Sequence, residues 1–179
     1  MADTQTIVLG GGCFWCTEAV YKEVKGVVDV ESGYSNGQAQ HPSYEQVCTG
    51  STGHNEVVKL KYDTAQVSTR QLLEIFFAVH DPTTPNRQGN DSGTQYRSGI
   101  YYTTQEQKQV AEDLIQEMTR DNLFDRPIVT EVKAKENYWA AEPYHQDFFE
   151  RNPDQGYCMA VAAPKVAKFR KTFAQLQKG

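Results

Sequence analysis

The chain has 179 residues, of which 39% are hydrophobic and 23% charged, with a net charge of −5. That length suits a single domain, residues 1–179, with a buried core, and the lack of excess Lys and Arg argues against nucleic acid as a partner. No window is apolar enough to span a membrane, and the polar start at Met1–Thr6 does not read as a signal peptide, so a cytoplasmic protein off the membrane is expected.

Ile7-Val8-Leu9 reads as a short buried strand ending in Gly10-Gly11-Gly12, and the spacing of Trp15, Ala19, Val20 and Val24 predicts an amphipathic helix over Trp15–Lys25. Val28 and Val30 alternate with Asp29 and Glu31, a half-buried strand that runs into Gly33-Tyr34-Ser35 and the turn signal Asn36-Gly37. Val58, Leu60 and Tyr62 alternate with Lys59 and Lys61 in the next strand. Ser68 is placed to cap a helix with Leu72, Leu73, Phe76 and Phe77 on its apolar face. Asp81 to Arg97, with two prolines and two glycines, reads as a long loop, a length usually kept for function or left disordered.

Ile100–Tyr102 reads as a strand, and Val110, Ala111, Leu114, Ile115 and Met118 mark the longest amphipathic helix. Ile128–Val132 is a further strand. Val166, Phe169, Phe173 and Leu176 predict a terminal helix opened by Pro164. Two central strands follow one another without a helix between them. The expected fold is therefore α+β: a two-layer α/β sandwich with a ferredoxin-like core, a mixed, mainly antiparallel sheet and long loops.

Cys13 follows three glycines and opens a helix, where the first backbone N–H groups and the macrodipole favour thiolate. Phe14 and Trp15 follow at once, so a sulfur nucleophile beside aromatic walls is the functional reading, against a plain buried cysteine. Cys16 completes a Cys-x-x-Cys pair that also supports dithiol exchange of the thioredoxin-like kind. Zinc is disfavoured, because Cys48 and Cys158 are isolated and no His pair has ligand spacing.

Glu56 is either a solvated strand end or a buried carboxyl whose raised pKa makes it a proton donor. Tyr34 and Tyr96 lie in glycine-containing loops and bring hydroxyls, or merely packing. Asp91 is a turn former or a hold for a substrate amide. Cys158 is a buried thiol, or a resolving thiol if its loop before the last helix is mobile. Cys48 reads as structural.

Taken in order, Gly12-Cys13-Phe14-Trp15, Gly33-Tyr34, Gly53-His54-Asn55-Glu56, Gly89 to Ser98 and Tyr144-His145-Gln146 resemble the signatures of the type A peptide methionine sulfoxide reductases. Each motif is weak alone, but the ordered set covers nearly the whole chain. The resemblance implies reduction of methionine-S-sulfoxide, free or in oxidised proteins and peptides. Cys13 would be the nucleophile that becomes a sulfenic acid, and Glu56 the acid that protonates the sulfoxide oxygen beside Tyr34 and Tyr96. Phe14 and Trp15 would wall the methyl pocket, and Asp91 would bind the substrate main chain with His145 nearby.

It further implies a resolving thiol, no cofactor or metal, and thioredoxin as external reductant, for which dithiothreitol substitutes in vitro. A monomer engaged in repair under oxidative stress is expected. Two positions depart from the commonest family pattern. Asn55, often Ala, is expected to matter little. Cys16, often Gly, leaves the resolver open: Cys158 is favoured because a flexible loop reaches disulfide geometry with less strain, and Cys16 is the alternative.

Overall fold

A computed structural model describes residues 4–152 and 154–178. The elements run β1 (Thr4–Gly10), α1 (Phe14–Tyr21), β2 (Val27–Ser35), α2 (Tyr44–Cys48), β3 (Asn55–Asp63), α3 (Thr69–Val79), a small hairpin β4 (Arg87–Gln88) and β5 (Asp91–Ser92), β6 (Gly99–Tyr102), α4 (Gln105–Arg120), β7 (Glu131–Ala134), β8 (Trp139–Ala140), α5 (Phe148–Arg151) and α6 (Ala163–Thr172). Six strands form one sheet in the order β7-β6-β1-β3-β2-β8, with only the β6–β7 pair parallel. The central order β6-β1-β3-β2 is the antiparallel ferredoxin-like arrangement of the expected α+β sandwich.

Alternation sorts the side chains between the two faces of the sheet. Ile7 and Leu9 of β1 and Val58, Leu60 and Tyr62 of β3 join Val20, Leu72, Phe76 and Phe169 from the helices in one buried cluster. Val8, Val57 and Tyr101 point the other way, beneath Tyr138. Capping boxes start three helices. Ser68 Oγ accepts the Gln71 N–H while Gln71 Oε1 accepts the Ser68 N–H, and Ser43–Gln46 and Thr104–Gln107 repeat the exchange. Ser68→Ala is expected to cost about 1 kcal/mol, read as a lower urea midpoint at an unchanged denaturant slope.

Several elements differ from the sequence reading. α1 ends at Tyr21 and is buried on almost every side, rather than amphipathic to Lys25. The chain beyond it is taken by the C-terminal segment, where Val24 bridges Gln177 and the Lys25 N–H donates to the Leu176 carbonyl at 2.6 Å. A bulge in β2 between Val27 and Asp29 turns Val28 outward, leaving it 56% exposed. The segment 81–97 is folded, through the β4–β5 hairpin and a 3₁₀ turn at Thr94–Tyr96. β7 begins at Glu131 rather than Ile128. α6 stops at Thr172, with Leu176 in a separate turn.

Candidate active site

β1 ends at the glycines, and Gly12 takes φ +92°, where a Cβ would lie 2.8 Å from Gln88 Cγ. Only glycine lets the backbone turn this closely against the small hairpin. Cys13 then becomes the N-cap of α1, 7% exposed, with extended backbone. Glu56, near the start of β3, is 1% exposed and stands opposite Tyr34 of β2 in register.

The Phe14 N–H, at the start of α1, donates to Glu56 Oε1 at 3.2 Å. The other oxygen, Oε2, is buried and has no hydrogen-bond partner among the described residues. Burial pushes the Glu56 carboxyl up to about 8; the Phe14 N–H opposes this and the charge of Asp91 adds to it. The group therefore holds a proton at neutral pH, on a carboxyl whose free oxygen has nothing else to bond.

The same geometry corrects the expectation for Cys13. Burial raises its thiol well above the ordinary value, and the negative charge of Glu56 raises it further, with the Trp15 N–H pulling the other way. The helix start does not leave a resting thiolate, because one of its N–H groups serves the carboxyl and the thiol itself is buried. Protonation of the neighbouring carboxyl removes one of the charges that raise the Cys13 thiol, while burial still opposes the thiolate.

Aromatic rings surround this pair. The Trp15 indole stacks on Phe148 with centroids 3.8 Å apart, and its Nε1–H donates to His145 Nδ1 at 3.0 Å. That bond leaves His145 neutral, its Nε2 buried and without a partner among the described residues, and burial lowers its pKa. Phe14 is fully buried, with its ring 5.0 Å from His145 and 6.4 Å from Tyr44. Phe14 is thus the deeper of the two rings, and half-buried Trp15 the one nearer the surface.

Three half-buried tyrosines complete the enclosure. Burial raises the hydroxyls of Tyr44 and Tyr96, and both feel Glu56, Cys48 and Cys13. The Tyr157 hydroxyl donates to Asp91 Oδ2 at 2.5 Å and accepts from the Cys16 thiol at 3.7 Å.

A nucleophilic sulfur, a protonated carboxyl, phenolic donors and an aromatic wall can transfer an oxygen from a small apolar group to sulfur. The comparisons with known proteins agree. The sequence profile of the family described as peptide methionine sulfoxide reductase matches residues 5–177. The chain belongs to the peptide methionine sulfoxide reductase family.

It is 54% identical over 168 residues to the peptide methionine sulfoxide reductase of Trichodesmium erythraeum, covering 94% of this chain and 95% of the relative. It is 53% identical over 169 residues to that of Saccharolobus solfataricus, covering 94% of each. The fold resembles reduced Mxr1 from Saccharomyces cerevisiae with a TM-score of 0.81 at 34% identity, over 90% of this chain and 94% of the other. It resembles methionine sulfoxide reductase A of Corynebacterium diphtheriae with a TM-score of 0.76 at 36% identity, over 88% of this chain and 78% of the other. The chain is accordingly an oxidoreductase that reduces methionine sulfoxide through a thiol.

Within this family frame, four residues sit differently from expectation. The Tyr34 hydroxyl does not serve the pocket: it is fully buried and donates to Glu142 Oε1 at 2.7 Å. Glu142 Oε2 accepts the Tyr44 N–H at 2.9 Å, so Tyr34 braces the turn that presents Tyr44. Tyr44, Glu142 and Tyr157 were not singled out from sequence; the Ser43–Gln46 capping pattern was the one signal that a helix begins at Tyr44.

Cys158 is not on a flexible loop. It is fully buried at the start of a π-helical turn, Cys158–Ala162, continuous with α6. Cys48, expected to be structural, is exposed at the end of α2. Asn55 is buried and donates to the Arg97 carbonyl at 2.9 Å and to Tyr101 Oη at 3.0 Å, tying down the segment that carries Tyr96.

Proposed function

We propose that the chain reduces the S epimer of methionine sulfoxide, free or in oxidised proteins and peptides, with Cys13 as nucleophile and Glu56 as general acid. The observation that carries this reading is the buried, unpartnered carboxyl oxygen of Glu56 near Cys13, on a group whose pKa burial raises to about 8. A sulfoxide oxygen leaves sulfur only when it is protonated, so a donor held where charge develops lowers the barrier. Tyr44 and Tyr96 supply further hydrogen bonds to that oxygen.

Cys13 attacks the substrate sulfur as its thiol proton replaces the one Glu56 gives up. Oxygen passes to Cys13, giving a sulfenic acid and methionine. Trp15, with Phe14 behind it, takes the methyl group, and Asp91 holds the substrate main chain with His145 nearby. Sulfur, oxygen, methyl and main chain then each have a fixed direction, which admits one epimer.

Among the described residues no helix is long and apolar enough to cross a membrane. A cytoplasmic monomer that repairs oxidised proteins, with thioredoxin as dithiol reductant of an intramolecular disulfide, completes the reading. No cofactor enters the scheme. The thioredoxin-like alternative built on Cys13 and Cys16 is not favoured, because it leaves Glu56, Tyr44, Tyr96 and the aromatic wall without a task.

With excess dithiothreitol and racemic methyl p-tolyl sulfoxide, chiral chromatography should show the S enantiomer consumed and the R enantiomer left. Equal consumption of both would sink the assignment. Tyr44→Phe is expected to lower kcat roughly ten-fold with little change in KM, the size of one lost charge-assisted hydrogen bond in the transition state.

A further inference from the structure

α1 buries a carboxyl that the mechanism above does not use. Glu18 is 1% exposed, and burial pushes its carboxyl up to about 7; the charge of Asp147 adds to this, while Lys22, the Asp147 N–H and the Ser32 hydroxyl oppose it. Residues three and four apart share one face of a helix, so Trp15, Glu18 and the C-cap Lys22 line a single side of α1.

Residues 145–148 lie along that side, and each has its own hold. His145 Nδ1 accepts the Trp15 indole N–H at 3.0 Å, and the Phe148 ring stacks on the indole, 5° from parallel. Gln146 is clamped by β2: its Oε1 accepts the Ser32 N–H at 2.9 Å and its Nε2 donates to the Ser32 carbonyl at 3.0 Å. Asp147 forms an ion pair with Lys22. The Ser32 hydroxyl donates to Glu18 Oε2 at 3.3 Å, which joins the hold from β2 to the hold from α1.

Asp147 is the most constrained of the four. Its φ of +56° is a left-handed conformation that a side chain disfavours and that persists where the surroundings hold it. It is the N-cap of α5, where an Asp ordinarily accepts one of the helix's own N–H groups, yet its side chain makes no such bond. The carboxylate goes to Lys22 instead. Phe148 is the next residue along, so a shift in the Asp147 backbone moves the ring that stacks on Trp15.

We infer that Glu18 and Lys22 are positioning residues: by fixing Asp147 they hold Phe148 flat on Trp15 and so set the width of the slot that takes the substrate methyl group. This rests on the reading of Trp15 as the methyl wall. Lys22 supplies charge from the half-exposed edge, facing Glu18, Asp147 and Glu150. Glu18 supplies an oxygen acceptor from the buried edge. A carboxyl keeps an accepting oxygen in either protonation state, so this hold does not depend on its charge. Both residues act through Trp15 rather than on the substrate.

The test compares the S enantiomers of methyl and ethyl p-tolyl sulfoxide with excess dithiothreitol. One added methylene in a closed pocket costs about ten-fold or more in kcat/KM, the methyl preference expected of the parent. Glu18→Leu removes the acceptor and should cut that preference to about two-fold. Lys22→Met, at a half-exposed position, should lower it in the same direction, and Glu18→Gln, which keeps an acceptor oxygen, should retain it. On a Trp139→Phe background Trp15 is the one tryptophan left, and its emission should move to longer wavelength in Glu18→Leu and Lys22→Met but not in Glu18→Gln.

A parental methyl preference in folded Glu18→Leu overturns the proposal, as does an unshifted emission; if that variant does not fold, the same results in Lys22→Met decide. A loss in Glu18→Gln equal to that in Glu18→Leu overturns the acceptor role. A parent that reduces neither sulfoxide, or both alike, refutes the proposed function of the pocket rather than the hold on Asp147, which the emission reads without substrate.

Discussion

Cys13→Ser is expected to leave no conversion of methyl-S-p-tolyl sulfoxide above the buffer rate, a loss of at least about 10³-fold, by liquid chromatography of the thioether. The reason is chemical as well as geometric. The reaction ends with oxygen on the attacking atom, and on sulfur that product is a sulfenic acid. On a serine oxygen it would be a hydroperoxide with a weak O–O bond, a product far uphill of the sulfoxide. The rest of the pocket cannot compensate, because Glu56 and the tyrosines act on the oxygen and only a nucleophile can take it. Serine fills nearly the same volume, and the Cys13 side chain makes no capping hydrogen bond, so the variant should fold with Glu56 still held by the Phe14 N–H. Appreciable thioether from it would move the nucleophile elsewhere, with Cys16 the nearest thiol.

The sheet was legible because alternation in β1 and β3 is clean, with Ile7 and Leu9, then Val58, Leu60 and Tyr62, all turned to the helical layer. The place of Cys13 at a helix start was legible from the three glycines before it, whereas for Glu56 local context left a solvated strand end and a buried carboxyl equally open, and the structure buries it. What local context lacks is the direction of a side chain fixed by a distant partner. Tyr34 and Tyr44 look equally available in sequence, yet Glu142, about a hundred residues away, takes the hydroxyl of one and the backbone N–H of the other. The charge state of Cys13 was misjudged for the same reason, since the helix start was visible but not the carboxyl that claims the Phe14 N–H. Cys158 was read as lying in a loop before the last helix, while the π-helical turn that buries it packs against α1 and α6.

Glu56→Gln should lower kcat/KM about 10²–10³-fold and remove the alkaline limb of its pH profile. In the parent protein the acid form of Glu56 is the competent one, so the rate holds below about 8 and falls as the pH rises through it. Glutamine keeps the bond to the Phe14 N–H but has no acidic proton, which gives a low rate with no fall at that point. Alkylation of Cys13 by iodoacetamide separates loss of the acid from damage to the nucleophile. At pH 7, where Glu56 is neutral, the two proteins should alkylate at similar rates. Above pH 8 the variant should alkylate faster, because the carboxylate that raises the Cys13 thiol is gone.

In this substitution stability moves in the opposite sense to activity. The folded-state value of about 8 lies above the ordinary 4.5, so the folded form holds the proton more tightly between those limits. The stability this confers is full below about 4.5 and is lost as the pH rises through 8. Removing the ionisable group removes that loss, so the variant should gain on the parent in urea midpoint between pH 5 and pH 8.5. An enzyme slower at pH 7 and relatively more stable at pH 8.5 would show that burying this carboxyl costs folding free energy in order to keep a proton beside the sulfoxide oxygen. Equal rates at pH 7 would take Glu56 out of the mechanism, whatever the stability curves show.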